Sequence, residues 1–378
     1  MSQVIPGVGT SEKPAAVIAP DGQSVFLAWR GEGDDQRIYW TQTQQLAPDP
    51  STGQYTFSPS PQAEAGFGTS HGPALASFQG CVYMAWKGEE GDHAIYWSRW
   101  DGISWQAQTK LQAETRTAPA MVATGDAIFL VFQGNSDNNI WWAMLGDSFG
   151  ANFIEIGPIK VDSTFFQTAA TPALTTDGNT VYLAWLGAGT DQLLYLAQCN
   201  EDLQALYPQG NIPDLGGLAA YGNYQWGNQQ QIPPYANSGG WDGGAFGAGP
   251  TQHGPALAFV PDNPGNSFPG LWIGWVAAMG SDSGLTINLT NNDDPPPPWS
   301  TFMPTSDSTT NQIALIGVLS AGLAPIYFFR STYGDQIFYN GAVAEPIESS
   351  GQSGGGGATN SSPGPENPAP PYTHGGQK

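Results

Sequence analysis

The chain has 378 residues and a net charge of −22, with 10 Lys+Arg against 32 Asp+Glu, yet only 11% of its residues are charged. The acidity comes from missing bases, which argues against nucleic acid and anionic membrane surfaces as partners, since both demand clustered Lys and Arg. Fifty Gly, 32 Pro and 12% aromatics argue against long helices and suit many short strands joined by turns.

In chain order, the first segment (residues 1–14) has no basic region followed by an apolar run, and no later stretch approaches about 18 uninterrupted apolar residues. The expectation is no secretory signal and no membrane span, hence a cytosolic protein or one exported without a signal. Then one six-residue pattern recurs. It reads SVFLAW at Ser24–Trp29, CVYMAW at Cys81–Trp86 and AIFLVF at Ala127–Phe132. It continues as TVYLAW at Thr180–Trp185, GLWIGW at Gly270–Trp275 and, more weakly, APIYFF at Ala324–Phe329. A Pro-Ala pair precedes the first five copies, at Pro14, Pro73, Pro119, Pro172 and Pro255. A turn carrying Asp follows (Asp35, Asp92, Asp137, Asp191, Asp282, Asp335), then a second apolar-aromatic run.

Recurrence at roughly 40–50 residues is the mark of four-stranded propeller blades. The second copy reads as strands at Pro73–Phe78, Val82–Lys87, Ala94–Trp100 and Trp105–Leu111. Side chains alternate along a strand, so Val82, Met84 and Trp86 share one face and Tyr83, Ala85 and Lys87 the other. Both faces are mostly apolar, as stacked blades require. The predicted fold is therefore all-β: a six-bladed β-propeller of four-stranded antiparallel blades over residues 1–345. Gln3–Ile5 supplies the missing strand of the last blade. Residues 201–250, rich in Gly, Gln, Asn and Tyr, are predicted to be a long loop, and 346–378 a disordered Gly/Pro/Ser tail. Cys81 and Cys199 fall in non-neighbouring blades, so both thiols are predicted to be free.

The stretch from Gly91 to Trp105, with its Asp turn, aromatic strand, Trp100-Asp101-Gly102 and closing Trp105, resembles the blade motif of fungal and bacterial fucose-binding propeller lectins. Ser98, Asp101, Gly102, Ser104 and Trp105 also resemble a degenerate sialidase Asp-box, a turn-stabilising feature without catalytic residues. The resemblance implies non-catalytic sugar sites in clefts between neighbouring blades, with glycans or glycoproteins as partners. Copies one, three and four lack Trp-Asp-Gly, so several clefts are expected to be without function.

Trp29, Trp86, Trp185 and Trp275 recur at one position and are predicted to be inter-blade core. Trp97, Trp100, Trp105, Trp141 and Trp142 are less regular. They are candidate stacking faces for sugar C–H groups, with core packing as the alternative. Arg30, Lys87 and Arg330 follow the second-strand aromatic and are candidate ligand-binding cations, or else salt-bridge partners. The turn aspartates, Asp92 among them, are candidate hydroxyl acceptors whose repetition favours a turn-capping role. Calcium is the one cofactor they suit, but it needs several converging carboxylates, and the adjacent pairs Asp34-Asp35 and Asp293-Asp294 are too little to claim a site. No catalytic constellation is legible, so the expectation is a binding protein. A structural or interaction component of a larger assembly, including a homo-oligomer, is the alternative. A sialidase-like glycoside hydrolase using Glu89 or Asp101 is another.

Overall fold

The computed structural model describes residues 2–343, except 47–48, 50, 53, 147–151, 162, 192, 201–224, 228, 233–252, 262–269, 279–284, 293–300, 310, 318–322 and 333. Every regular element among them is a strand. After β1 (Gln3–Gly9), a first sheet pairs β2 (Ala15–Ile18), β3 (Val25–Arg30), β4 (Arg37–Thr43) and β5 (Phe57–Gly68) in chain order. The second sheet pairs β6 (Ala74–Phe78), β7 (Cys81–Lys87), β8 (Ala94–Trp100) and β9 (Thr109–Glu114). The third pairs β10 (Ala120–Ala123), β11 (Ala127–Gln133), β12 (Ile140–Gly146) and β13 (Ile154–Pro158). A small hairpin, β14 (Lys160–Val161) and β15 (Thr164–Phe165), follows.

In the fourth sheet, β16 (Ala173–Thr176), β17 (Val181–Leu186) and β18 (Leu194–Asn200) are completed by two short segments, β19 (Gln225–Trp226) and β20 (Gln230–Gln231), both paired with β18. The outer strand is thus divided, and it comes from within 201–250, which corrects the expectation of a loop for that part. The rest of 201–250 lies outside the described residues. The fifth sheet holds β21 (Ala256–Val260), β22 (Gly270–Ala278), β23 (Leu285–Asn292) and β24 (Thr301–Ser308). In the closing sheet, β25 (Ala314–Ile316), β26 (Leu323–Arg330) and β27 (Gln336–Val343) take β1 as their outer strand. The predicted closure by Gln3–Ile5 is therefore present, and extends to Gly9.

The sheets stand side by side around an axis. β2 lies beside β6, β6 beside β10, β10 beside β16, β16 beside β21, β21 beside β25, and β25 beside β2 again. This is a propeller. The inner strands line a central channel of about 270 Å3. At its end stand Ala15, Ala74, Ala120, Ala173, Ala256 and Ala314 with three of the repeated prolines, Pro14, Pro73 and Pro255. The Pro-Ala repeat has a steric cause: strands converging on an axis leave room for a methyl group, and a proline costs no ladder hydrogen bond at a strand's first residue.

Each inter-sheet gap holds its own apolar layer. Val82, Met84 and Trp86 pack on the first sheet, and Tyr83 and Ala85 on the third, as the alternation predicts. Trp29, Trp86, Trp185 and Trp275 are all buried. The outer strand of the second sheet starts at Thr109 rather than Trp105, because Trp105 folds back to bridge Trp100 across the Asp101 turn. Cys81 and Cys199 are free. Residues Met1–Ala344 form one unit; Glu345–Lys378, and with it the expected tail, lies outside the described residues.

Candidate functional site

The turn aspartates are occupied locally. Asp92 Oδ1 accepts the Ala94 N–H at 2.9 Å, and Oδ2 accepts the Tyr96 hydroxyl at 2.9 Å. Asp35 repeats this with Arg37 and Tyr39, and Asp191 with Leu193 and Tyr195. These donors hold the Asp35 and Asp92 carboxyls below the usual carboxylate range, with the Arg37 guanidinium foremost for Asp35 and the Ala94 amide for Asp92. The motif is Asp-x-x-x-Tyr, an Asx-turn clamped by a phenol. Among the described residues no group of three or more His, Cys, Asp or Glu converges as a metal site requires.

Two of the cations after the second-strand aromatic, Arg30 and Lys87, reach the segment that joins the first and second sheets, and the third braces the turn of its own hairpin. Arg30 donates to the Thr69 carbonyl at 3.2 Å and to Ser11 Oγ. Lys87, 3% exposed, donates to Ser70 Oγ at 2.8 Å, and Arg330 pairs with Asp335. Nearby, burial raises the Glu12 carboxyl pKa against the pull of Arg30, Arg330 and Lys13. Burial also lowers Lys13 to about 8. Lys13 and Gln312 line the end of the central channel.

The clefts between sheets differ from one another. In each of the first three, a second-strand aromatic stacks on a third-strand indole one register step away. Phe26 lies on Trp40 (5.0 Å, 4°), Tyr83 on Trp97 (6.0 Å, 20°) and Phe129 on Trp142 (6.2 Å, 11°). The next sheet covers the first pair with Trp100, 4.6 Å from Trp40, and Trp105, 5.9 Å from Phe26. It covers the third pair with Trp226, 5.9 Å from Trp142 and edge-on. At the second pair, Leu145 stands where Trp100 stands in the sheet before. Leu145 pairs with Ile128 as Trp100 pairs with Val82. Phe153 reaches Trp97 edge-on at 5.5 Å, and a cavity of about 400 Å3 remains.

That cavity lies at the hairpin end of the second sheet, beside Gln79 and away from the Asp92 turn. Its apolar wall is Phe78, Tyr83, Trp97 and Leu145; its polar groups are Gln79, Arg99, Gln106, Thr109 and Asn152. β8 aims two of these groups by alternation: Trp97 and Arg99 face the third sheet, while Tyr96 and Trp100 face the first. Tyr83 and Arg99 are directly opposed, and the Tyr83 hydroxyl bonds the guanidinium and raises its pKa. Gln106 is positioned by its Nε2, which donates to Asp101 Oδ2 at 2.7 Å.

Of the predicted ligand residues, Trp97 lines this cavity. Trp100 and Trp105 are used to cover the first cleft, Trp142 (7% exposed) is packed against Trp226, and Trp141 donates to Asp137 at 3.3 Å. Arg30 and Lys87 sit at a blade joint and Arg330 at its own turn, all on the turn side of the ring, and Asp92 holds its turn. Tyr83, Arg99, Gln106 and Asn152 were not singled out by sequence. Their signal was a contrast between copies: Arg99 stands where the first, third and fourth copies carry Gln42, Met144 and Gln198.

No family model matches this chain, and no curated protein matches it. Among solved structures, it is similar to the Hadza microbial sialidase Hz136, with 12% identity, 91% of this chain and 68% of that chain covered, and a TM-score of 0.57. It also aligns with AofleA from Arthrobotrys oligospora, at 12% identity, 91% and 83% coverage and a TM-score of 0.49. The SapL1 lectin in complex with alpha methyl fucoside aligns at 12% identity, 90% and 98% coverage and a TM-score of 0.46. At such identities the first likeness shows the fold alone: an all-β propeller of four-stranded antiparallel blades.

Proposed function

We propose that the protein is a non-catalytic carbohydrate-binding propeller of six blades. The fourth sheet is a blade with a divided outer strand, and the cleft between the second and third sheets is the sugar site. The observation that carries the reading is the cavity of about 400 Å3 at the edge of the buried Tyr83–Trp97 pair, where the next blade supplies Leu145 and Phe153 and leaves space beside the rings. Such a volume lies within the range of about 300–1,000 Å3 of small-molecule sites. A pyranose presents C–H faces that stack on aromatic rings and hydroxyls that need donors and acceptors at the edge. Gln79, Gln106, Thr109 and Asn152 supply both kinds at the cavity wall. The partners are glycans or glycoproteins, and affinity for a single sugar at this one cleft is weak.

Calorimetric titration with a panel of methyl glycosides tests this. Binding in the micromolar to millimolar range is expected, lost on Gln106→Ala and Asn152→Ala, two substitutions outside the apolar layers. Absence of binding to every glycoside at millimolar concentration contradicts the reading.

A glycoside hydrolase is the second reading, favoured by Glu12, the residue before channel-lining Lys13, whose carboxyl is raised by burial against the charges of Arg30 and Arg330 and suits a general acid. Asp101 does not suit that role: amides of Ile103 and Ser104 hold its carboxyl below the usual range. Hydrolysis of aryl glycosides that vanishes on Glu12→Gln would establish this second reading in place of the first.

A further inference from the structure

We propose that the sugar taken between the second and third sheets is anionic, carrying a carboxylate or sulfate that Arg99 binds. This rests on the sugar-site reading above. The first ground is position. In the first, third and fourth sheets the residue opposite the same second-strand aromatic is Gln42, Met144 or Gln198, paired with Phe26, Phe129 and Tyr182. In the second sheet it is Arg99, paired with Tyr83. The blade architecture does not require a cation there, since three sheets form without one.

The second ground is how the other arginines are used. Arg37 and Arg330 form ion pairs with Asp35 and Asp335, while Arg30 and Arg116 donate to carbonyls at Gly33 and Asn135. All four serve turns on one side of the ring. Arg99 is exposed at the opposite end of its strand and leans on a phenol hydroxyl. Among the described residues, no carboxylate lies within ion-pair distance of it. The third ground is the lining: among the described residues, no Asp or Glu faces the cavity. Asp101, the nearest acid along the chain, has its oxygens committed to Ile103, Ser104 and Gln106.

A guanidinium presents a planar fork of donors that matches a carboxylate or sulfate edge, and charge-assisted bonds of this kind are about twice as strong as neutral ones. In a chain of net charge −22, an exposed guanidinium that has no carboxylate within ion-pair distance among the described residues, and feels Asp101 only at longer range, marks a place where an anion is attracted rather than repelled.

The experiment titrates the full chain with neutral methyl hexosides, methyl hexuronides, a methyl sialoside and sulfated methyl hexosides, using the wild type, Arg99→Gln and Arg99→Lys. An anionic glycoside is expected to bind about tenfold or more tighter than its neutral counterpart. Arg99→Gln should abolish that preference, so that anionic and neutral glycosides bind alike, and Arg99→Lys should restore part of it. The hexuronide and sulfate arms tell which anion the fork prefers. Equal binding of neutral and anionic glycosides, unchanged by Arg99→Gln, overturns the inference and leaves the sugar-site reading standing. No binding by any glycoside overturns both.

Discussion

Thr69 shows how one small side chain joins two blades. Its backbone N–H donates to the Gln36 carbonyl of the first sheet at 2.7 Å, and the next residue, Ser70, donates to the Gly88 carbonyl of the second at 3.0 Å. The buried Thr69 hydroxyl lies 2.7 Å from the Lys87 carbonyl and accepts the His71 N–H at 3.2 Å. Thr10, Thr115 and Thr168 repeat the amide stitch with Asp335, His93 and Asn138. Thr69→Val is expected to destabilise the protein by about 1–3 kcal/mol in chemical denaturation, because buried carbonyl and amide groups lose their partner. Thr69→Ser should recover most of the loss. Beside it, His71 is held neutral by burial and by the Lys87 and Arg30 charges, with its pKa lowered to about 4. The unfolded chain binds this proton near pH 6.5 and the folded chain only near pH 4, so the unfolded state carries more protons between those values. Stability should therefore fall as pH drops from about 6.5 to about 4, by on the order of 2 kcal/mol from this group. His253 adds in the same direction. His71→Gln should flatten that part of the stability–pH curve; an unchanged slope contradicts the assignment.

At the scale of strands and turns, the first three copies share one design and differ in a few side chains. Each stacks an aromatic on an indole, and the next sheet either covers the pair or leaves it open. Leu145 is the decisive difference at the second cleft. Leu145→Trp is expected to rebuild there the cover that Trp100 gives the first cleft, closing the cavity and removing glycoside binding. The cost should be under about 3 kcal/mol, since overpacking is relieved into empty space. Retained binding in this variant contradicts the location of the site. The second and third strands of each copy were legible because alternation with large aromatics on both faces fits only a sheet packed on two sides. The outer strands were less so. Trp105 reads as the start of a strand, yet the Asp101 turn diverts it into the first cleft, and the true outer strand begins four residues later. Arg99 and Gln106 escaped notice because a cavity is made by what its neighbour lacks. Of these register positions the second sheet carries an indole, Trp100, where the third and fourth carry Leu145 and Cys199, a contrast visible only once the strands are in register.

For the whole molecule, the ring depends on β1. Ile5 and Val8 are buried against the closing sheet and the first, and Val4 pairs with Phe338. A closed propeller leaves only the outer strands of its blades as edges, and loss of β1 exposes β27 to pairing with other chains. Ile5→Asp, which places a charge in an apolar layer, is expected to lower the thermal midpoint and to produce larger species in size-exclusion chromatography. A monomer of unchanged midpoint contradicts β1 as the closing strand. The closure was readable from sequence, as was the Pro-Ala signature of the axis. The threonines were also there, at Thr10, Thr69, Thr115, Thr168 and Thr309, five residues before each Ala. Their role emerges only when the blades are placed side by side. The divided outer strand of the fourth sheet was hidden because two-residue segments inside a Gly- and Gln-rich stretch carry no periodicity.

The most direct measurement is a crystal structure of the full chain soaked with the tightest-binding glycoside of the panel. The account predicts a pyranose lying against Tyr83 and Trp97, with its anionic group at the Arg99 guanidinium and its hydroxyls at Gln106 and Asn152. A ligand bound at the channel end beside Lys13 and Gln312, or in another cleft while this one stays empty, would contradict it.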